Sequence, residues 1–290
     1  MGKMAAEIRE NGEDGGRNPR GMCRIVFLRY FGMMMQDESL EEWLERADRD
    51  YLAHISLDCV VFGFHAGQLK ILLLKMKHEH RRALPGGFVQ NCETLEEAAI
   101  RTLKERTGVE NVFLQQFCVF SDPQRSDPEN RANDLRRIGI DPERAQWFAQ
   151  RFISVGFYAL VEFSCVVPRP DMLSDTCDWY NLDERGPLIL DHDQILESAL
   201  HTLQSQLNYQ PVGYNLLPRK FTLPELQKLY EAILGKKLDR RNFQRKIFSY
   251  GILRSLDEKR TGVAHKAPYL YSFDLRKYQK ALKLGLQGGW

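Results

Sequence analysis

The stretch from Gly86 to Val109, GGFVQNCETLEEAAIRTLKERTGV, leaves the backbone few choices. Two glycines open it and a polar loop follows. Then Leu95, Ala98, Ala99 and Leu103 recur at the three- and four-residue steps of one helix face. Thr94 is placed to cap that helix, and Glu97 three residues later completes a capping box. Gly108 is the residue type that ends a helix in the left-handed conformation. The pattern predicts a turn, a loop and an amphipathic helix in fixed order, and any fold for this chain has to accommodate that unit.

The spacing resembles the Nudix box at Gly87, Glu93, Arg101, Leu103, Glu105, Gly108 and Val109. The resemblance implies a mixed sheet with helices on its faces. For an active member it also implies magnesium-dependent hydrolysis of a diphosphate. The sequence departs from the box at Thr102 and Arg106, where the family's enzymes carry two metal-binding glutamates. Positions 102, 105 and 106 share one helix face. Three carboxylates there would hold magnesium against a diphosphate and activate water; here Glu105 stands with a hydroxyl and a guanidinium. The expectation is a Nudix scaffold with no metal site and no catalytic residues. If activity survives, Glu105 and Glu93 carry it with magnesium; otherwise no cofactor is required.

Charge divides the chain. The whole holds 41 Lys/Arg against 39 Asp/Glu, but residues 218–290 hold 17 against 6, leaving 24 against 33 for the remainder. A basic module is fused to an acidic one, which suggests a polyanionic partner as readily as a solvated basic surface. Within the basic module, Thr222 and Glu225 form a second capping box, with Pro224 tolerated in the first turn. Leu226, Leu229, Tyr230 and Ile233 give that helix a buried face, and Gly235 stops it. Asp239 then caps a second helix, 240–250, that buries Phe243, Ile247 and Tyr250. This is the order of a helix-turn-helix. The second helix displays Arg240, Arg241, Asn242, Gln244, Arg245 and Lys246, residue types that contact phosphates and read base edges. Extended segments 253–256 and 269–273 flank a turn with His265 and Lys266 and suit a wing.

Elsewhere, 57–65 and 69–75 read as a hairpin, 112–120 and 152–163 as further strands, and 178–182 as a short one. Residues 194–207 form an amphipathic helix. The segment 121–151 is longer than a hairpin needs, is helical near 142–150, and is placed to shape a pocket. The expected domains are a disordered extension over 1–36, a short helix within 37–54, the sensing domain over 55–207, a linker at 208–217 and the winged module over 218–285. Residues 1–21 lack the apolar content to order themselves, and the Met33–Met35 cluster suggests a biological start near it. Six scattered cysteines without a C-x-x-C pair read as reduced thiols of a cytoplasmic protein. His78-Glu79-His80 reads as solvated rather than metal-binding. No apolar run has transmembrane length, so no membrane partner is expected.

Taken together, the Leu84–Val89 opening, YNLLPRKFTLPELQKLYEAILGKKLDRRNFQRKI at 214–247 and HKAPYLYSF at 265–273 resemble the Nudix-related transcriptional regulators of bacteria. The resemblance implies an α+β architecture: a Nudix-fold mixed sheet with flanking helices, followed by a winged helix-turn-helix. It implies a homodimer that binds double-stranded operator DNA and responds to a sugar or nucleotide-sugar effector, of the ADP-ribose or pentose class. Candidate effector-binding residues are Arg82, Gly86, Gly87, Phe88, Arg101, Glu105 and Arg125, of which the three arginines can serve a phosphate. The competing readings are a magnesium-dependent hydrolase of ADP-ribose-like substrates and a protein–protein adaptor.

Overall fold

The computed structural model describes residues 40–77, 79–109, 112–126, 132–133, 135–136, 141, 146–261 and 267–286. The expected extension over 1–36, the start near Met33, helix positions 142–145, and His78, His265 and Lys266 lie outside these residues.

Helix α1 (Leu40–Asp50) ends with Arg46 paired to Asp50 at 2.9 Å. The chain then passes directly into strand β1 (Tyr51–His65). The helix ends at Asp50 because Tyr51 is already paired with Gln90 in the sheet. Strand β2 (Gln68–Met76) returns through Ala66 and Gly67, whose φ values of 51° and 80° give the twist a two-residue hairpin requires.

The two strands stay paired only from Phe62↔Ile71 to His65↔Gln68. Beyond that, β2 runs against β7 (Ser174–Asn181) and, at its end, β3 (Arg82–Ala83). The edge of β1 that β2 leaves is taken by β4 (Gly86–Gln90), through Ser56↔Phe88, Leu57↔Gly87 and Asp58↔Gly86. On its other edge β1 runs parallel to β6 (Ile153–Leu160), which pairs antiparallel with β5 (Phe113–Phe120). The result is a seven-stranded mixed sheet that opens a gap where β1 and β2 diverge.

Both faces of this sheet are covered, which is why β1 is buried continuously from Leu57 to Gly63 instead of alternating. Helix α2 (Leu95–Thr107) lays Ala98, Ala99 and Leu103 against Leu57, Cys59, Val61, Phe157 and Ala159. Its capping box and its Gly108 terminus (φ 68°) form as the sequence predicts. A single-turn helix, α3 (Gln146–Ala149), lies in the long segment before β6. Helix α4 (His192–Gln206) covers the opposite face with Ile195, Leu196, Ala199 and Leu203 on Val60, Phe62, Ile71, Leu73 and Tyr158. Each fully buried Val, Leu, Ile or Phe side chain among these contributes about 1.5–3 kcal/mol.

Segment 208–217, expected as a linker, is packed: Val212, Leu216 and Leu217 are buried in the same core as α4. The basic module then follows as β8 (Phe221–Thr222), α5 (Leu223–Leu234), α6 (Arg240–Ser249), β9 (Leu253–Lys259), β10 (Tyr269–Phe273) and α7 (Leu275–Leu284). Thr222, Glu225, Gly235 and Asp239 cap and stop its helices as their residue types require. The core of this module, built on Leu226, Leu229, Tyr230, Ile233, Phe243 and Ile247, is continuous with the one beneath α4. Gln204 Nε2 donates to the Ile233 carbonyl at 2.9 Å across the junction.

Candidate ligand pocket and nucleic-acid interface

A cavity of about 260 Å³ occupies the gap between β1 and β2. Leu57, Leu74 and Leu84 give it an apolar floor, and Phe88, Phe148 and Phe152 supply an aromatic wall. Phe88 lies 5.7 Å from Phe148 and 5.5 Å from Phe152, between ring centroids. A second aromatic layer braces this wall. Trp43 of α1 stacks on Phe148 (5.2 Å, 14°), and Trp147 meets Phe88 edge-on at 4.6 Å. Packed rings of this kind gain interaction beyond their buried area and hold one another in place.

One side of the cavity is polar. Asp58, 6% exposed, accepts from the Ser154 hydroxyl and faces His192 Nε2 at 3.3 Å. The Leu84 N–H donates to His192 Nδ1 (3.0 Å), so the ring hydrogen sits on Nε2 and points at Asp58. Arg125 grips Asp191 through two bonds of 2.7 and 2.8 Å, donates to the Phe152 carbonyl at 3.2 Å, and lies 3.6 Å from Asp58. Burial works against the charge on Arg125, but Asp191 and Asp58 outweigh it and raise its pKa. At the mouth, Arg81 pairs with Glu79 at 2.9 Å and holds that carboxyl down at about 2.

Behind the glycine turn, Arg101 ties the loop to α2. It donates to Glu93 at 2.6 and 3.1 Å, to the Phe88 carbonyl at 2.7 Å and to Glu105 at 3.4 Å. Burial opposes its charge as well, and the two carboxylates more than compensate. Glu93 and Glu105 are thereby committed to a guanidinium. Thr102 is buried against Gly87, where an added Cβ would stand 2.5 Å from the Thr102 hydroxyl. Arg106 faces Asp171 at 3.7 Å. Magnesium needs several oxygen ligands in near-octahedral array, and this donor set does not fit it. Among the described residues no three His, Cys, Asp or Glu side chains gather to hold an ion.

In the basic module, Arg240, Arg241, Asn242 and Arg245 are exposed on α6, while Gln244 and Lys246 are half-buried. Asp239 caps the helix through the Asn242 N–H, and Arg245 donates to Asn242 Oδ1 at 3.0 Å. Partial burial and the nearby Lys236 lower the Lys246 pKa. Strands β8, β10 and β9 form the wing sheet. Lys259 lies over the Tyr269 ring at 5.1 Å, and Arg260 is held by Glu225 of the capping box.

Two family models match in the same order as the two halves: the NUDIX domain over residues 52–201 and the NrtR DNA-binding winged helix domain over residues 213–273. The chain belongs to the family of Nudix-related transcriptional regulators. It is 29% identical over 232 residues to the ADPR responsive transcriptional repressor NtrR of Acinetobacter baylyi, covering 77% of this chain and 83% of that one. The Shewanella oneidensis NrtR crystallised with a 27mer DNA superposes with a TM-score of 0.64 at 25% identity, covering 81% of this chain and 99% of the other. An ADP-ribose pyrophosphatase of Methanocaldococcus jannaschii is 34% identical over 138 residues, 43% of this chain and 79% of its own.

Of the residues singled out in the Nudix domain of this regulator, Gly86, Gly87, Phe88 and Arg125 line the cavity. Arg82, Arg101 and Glu105 do not. Arg82 points the other way, donating to the Arg185 carbonyl and lying 4.1 Å over the Tyr180 ring, and its neighbour Arg81 takes the pocket side. Arg101 and Glu105, with Glu93, belong to the tie behind the turn. Sequence reasoning missed Asp58, His192, Phe148 and Phe152. Asp58 left one usable signal: it is the only charge in the otherwise apolar run 57–64.

Proposed function

We propose that this regulator binds operator DNA as a homodimer and changes its affinity when ADP-ribose, or a nucleotide sugar of that class, occupies the Nudix pocket. One observation carries the reading. An aromatic, largely apolar pocket sits beside a helix that carries Thr102 and Arg106 where Nudix hydrolases carry metal-binding glutamates, and the same packed unit includes a winged helix-turn-helix. A flat, apolar purine suits three phenylalanines. A free pentose presents hydroxyls on every edge and would leave those walls without a partner, so the nucleotide is favoured over the bare sugar. The name of the Acinetobacter relative, an ADPR responsive repressor, supports the same class. On α6, Arg240, Arg241, Asn242 and Arg245 present the donors that read guanine and adenine edges, with Gln244 and Lys246 beside them. The function is sensing, and hydrolysis is lost.

The test is a gel-shift titration of the full chain on its own upstream DNA at several salt concentrations, with and without ADP-ribose and a panel of pentoses. Sequence-preferring binding that weakens steeply with salt and shifts with ADP-ribose alone is expected. Equal binding to every sequence, or a shift with a pentose only, rejects the reading. Similarity to the Methanocaldococcus pyrophosphatase favours a second reading, slow hydrolysis through Glu105. That reading requires a magnesium-dependent release of AMP that Glu105→Gln abolishes.

A further inference from the structure

We propose that the Arg106 guanidinium does here what a divalent cation does in a Nudix hydrolase: it supplies the positive charge that holds the ligand's diphosphate, so binding needs no metal. The inference deepens the nucleotide-sugar reading above and rests on it.

Thr102 meets the glycine turn at Gly87, and Arg106 lies one turn further along the same side of α2. Gly86 and Gly87 of that turn line the cavity. Thr102 Oγ1 and Arg106 Nε are both buried, and neither has a hydrogen-bond partner among the described residues. Buried polar atoms are almost always paired, so each exception calls for an explanation. Neither residue lines the cavity itself, but each stands directly behind one that does, Thr102 behind Gly87 and Arg106 beside Asp171. Two exceptions on one helix face at the edge of the cavity point to an oxygen-rich ligand as the missing partner.

Arg106 also has a charge to hold it near the cavity without satisfying its donors. Asp171, which lines the cavity, is 3.7 Å away, beyond hydrogen-bonding reach. The Asp171 carboxylate instead accepts from the Ser174 hydroxyl at 2.7 Å and the Leu173 N–H at 3.0 Å. The remaining carboxylate on this face, Glu105, is tied to Arg101. A guanidinium offers paired donors in a fixed plane, a geometry that matches two phosphate oxygens as a lysine ammonium does not. A hydroxyl and a guanidinium at positions 102 and 106 therefore form an anion site on the helix face where carboxylates would form a cation site.

Calorimetric titration of the full chain tests this, with ADP-ribose as one probe and adenosine, which lacks the diphosphate, as the other. Wild-type affinity for ADP-ribose is expected to be the same in EDTA and in Mg2+. Arg106→Met is expected to weaken ADP-ribose roughly tenfold or more while leaving adenosine within about twofold, with partial recovery in Arg106→Lys. Arg106→Met/Asp171→Asn is expected to stay weak. Wild-type affinity in that double variant would show that Arg106 merely neutralises Asp171, and would overturn the proposal. So would a magnesium requirement, or equal losses for both probes. Mn2+ titration followed by electron paramagnetic resonance gives an independent reading: no tight site in the wild type, and a gained site in Thr102→Glu/Arg106→Glu. A tight Mn2+ site in the wild type would contradict the assignment. No ADP-ribose binding by the wild type under any condition rejects the nucleotide reading itself, whereas binding that depends on Mg2+ rejects only the role of Arg106.

Discussion

Arg125 lines the cavity and is a cation, yet its geometry says that it holds the pocket together instead of reaching into it. Its side chain is 3% exposed, and its donors are occupied by both Asp191 oxygens and the Phe152 carbonyl, with Asp58 close by. Arg125→Met keeps most of the volume but leaves two carboxylates in a poorly solvated site. Removing one partner of a buried ion pair typically costs about 3–5 kcal/mol. Asp191 retains some access to water, 14% of its side chain, so the lower end applies. For a unit of this size roughly 3 kcal/mol corresponds to a fall of about 6–12 °C in melting temperature. The assay is thermal unfolding followed by circular dichroism without ligand. Asp191→Asn placed on the Arg125→Met background should recover part of the loss, because it removes the stranded charge. A melting temperature within about 2 °C of wild type, or losses that simply add in the double variant, would refute the reasoning and return Arg125 to the ligand.

Arg241→Glu/Arg245→Glu should abolish operator binding in a gel shift while leaving ADP-ribose affinity unchanged; wild-type DNA affinity would reject α6 as the recognition helix. Gly87→Ala forces a methyl group onto the Thr102 hydroxyl at 2.5 Å and should destabilise by about 1–3 kcal/mol, with Thr102→Ala relieving most of it in denaturant unfolding. Phe243→Ala empties a fully buried site and should cost about 3–5 kcal/mol by the same measurement. The Glu79 carboxyl is held down at about 2, below the 4.5 ordinary for a glutamate, chiefly through its hydrogen bond to Arg81. Its contribution is therefore complete above about pH 4.5 and lost as pH falls toward 2. Arg81→Met should flatten that part of the stability–pH curve, and an unchanged curve would count against the pairing.

Much of this was legible in the residues because it is local. Capping boxes at Thr94/Glu97 and Thr222/Glu225 span three residues, and the forming helices obey them whatever they pack against. The same holds for the stop glycines Gly108 and Gly235. The pocket was only half legible because its polar side is assembled over long separations: Leu84 to His192 across 108 positions, Asp58 to Ser154 across 96 and Arg125 to Asp191 across 66. No periodicity encodes such pairs. Arg82, expected at the pocket, faces away from it for a simpler reason. Neighbours in extended chain face opposite ways, and the parity was not fixed by anything local.

The hydrophobic core that runs unbroken from beneath α4 into α5 and α6 has a consequence for how such a regulator can be rebuilt. Sequence families draw a border near residue 213, but no solvated seam lies there: Val212, Leu216 and Leu217 are interior residues shared by both halves. Cutting the chain at that border would strip the DNA-reading half of part of its own interior. Grafting it onto a foreign sensor would succeed only if the donor brought a helix end shaped like Leu203–Leu207. The sensor and the reader are thus inherited as a single piece of architecture.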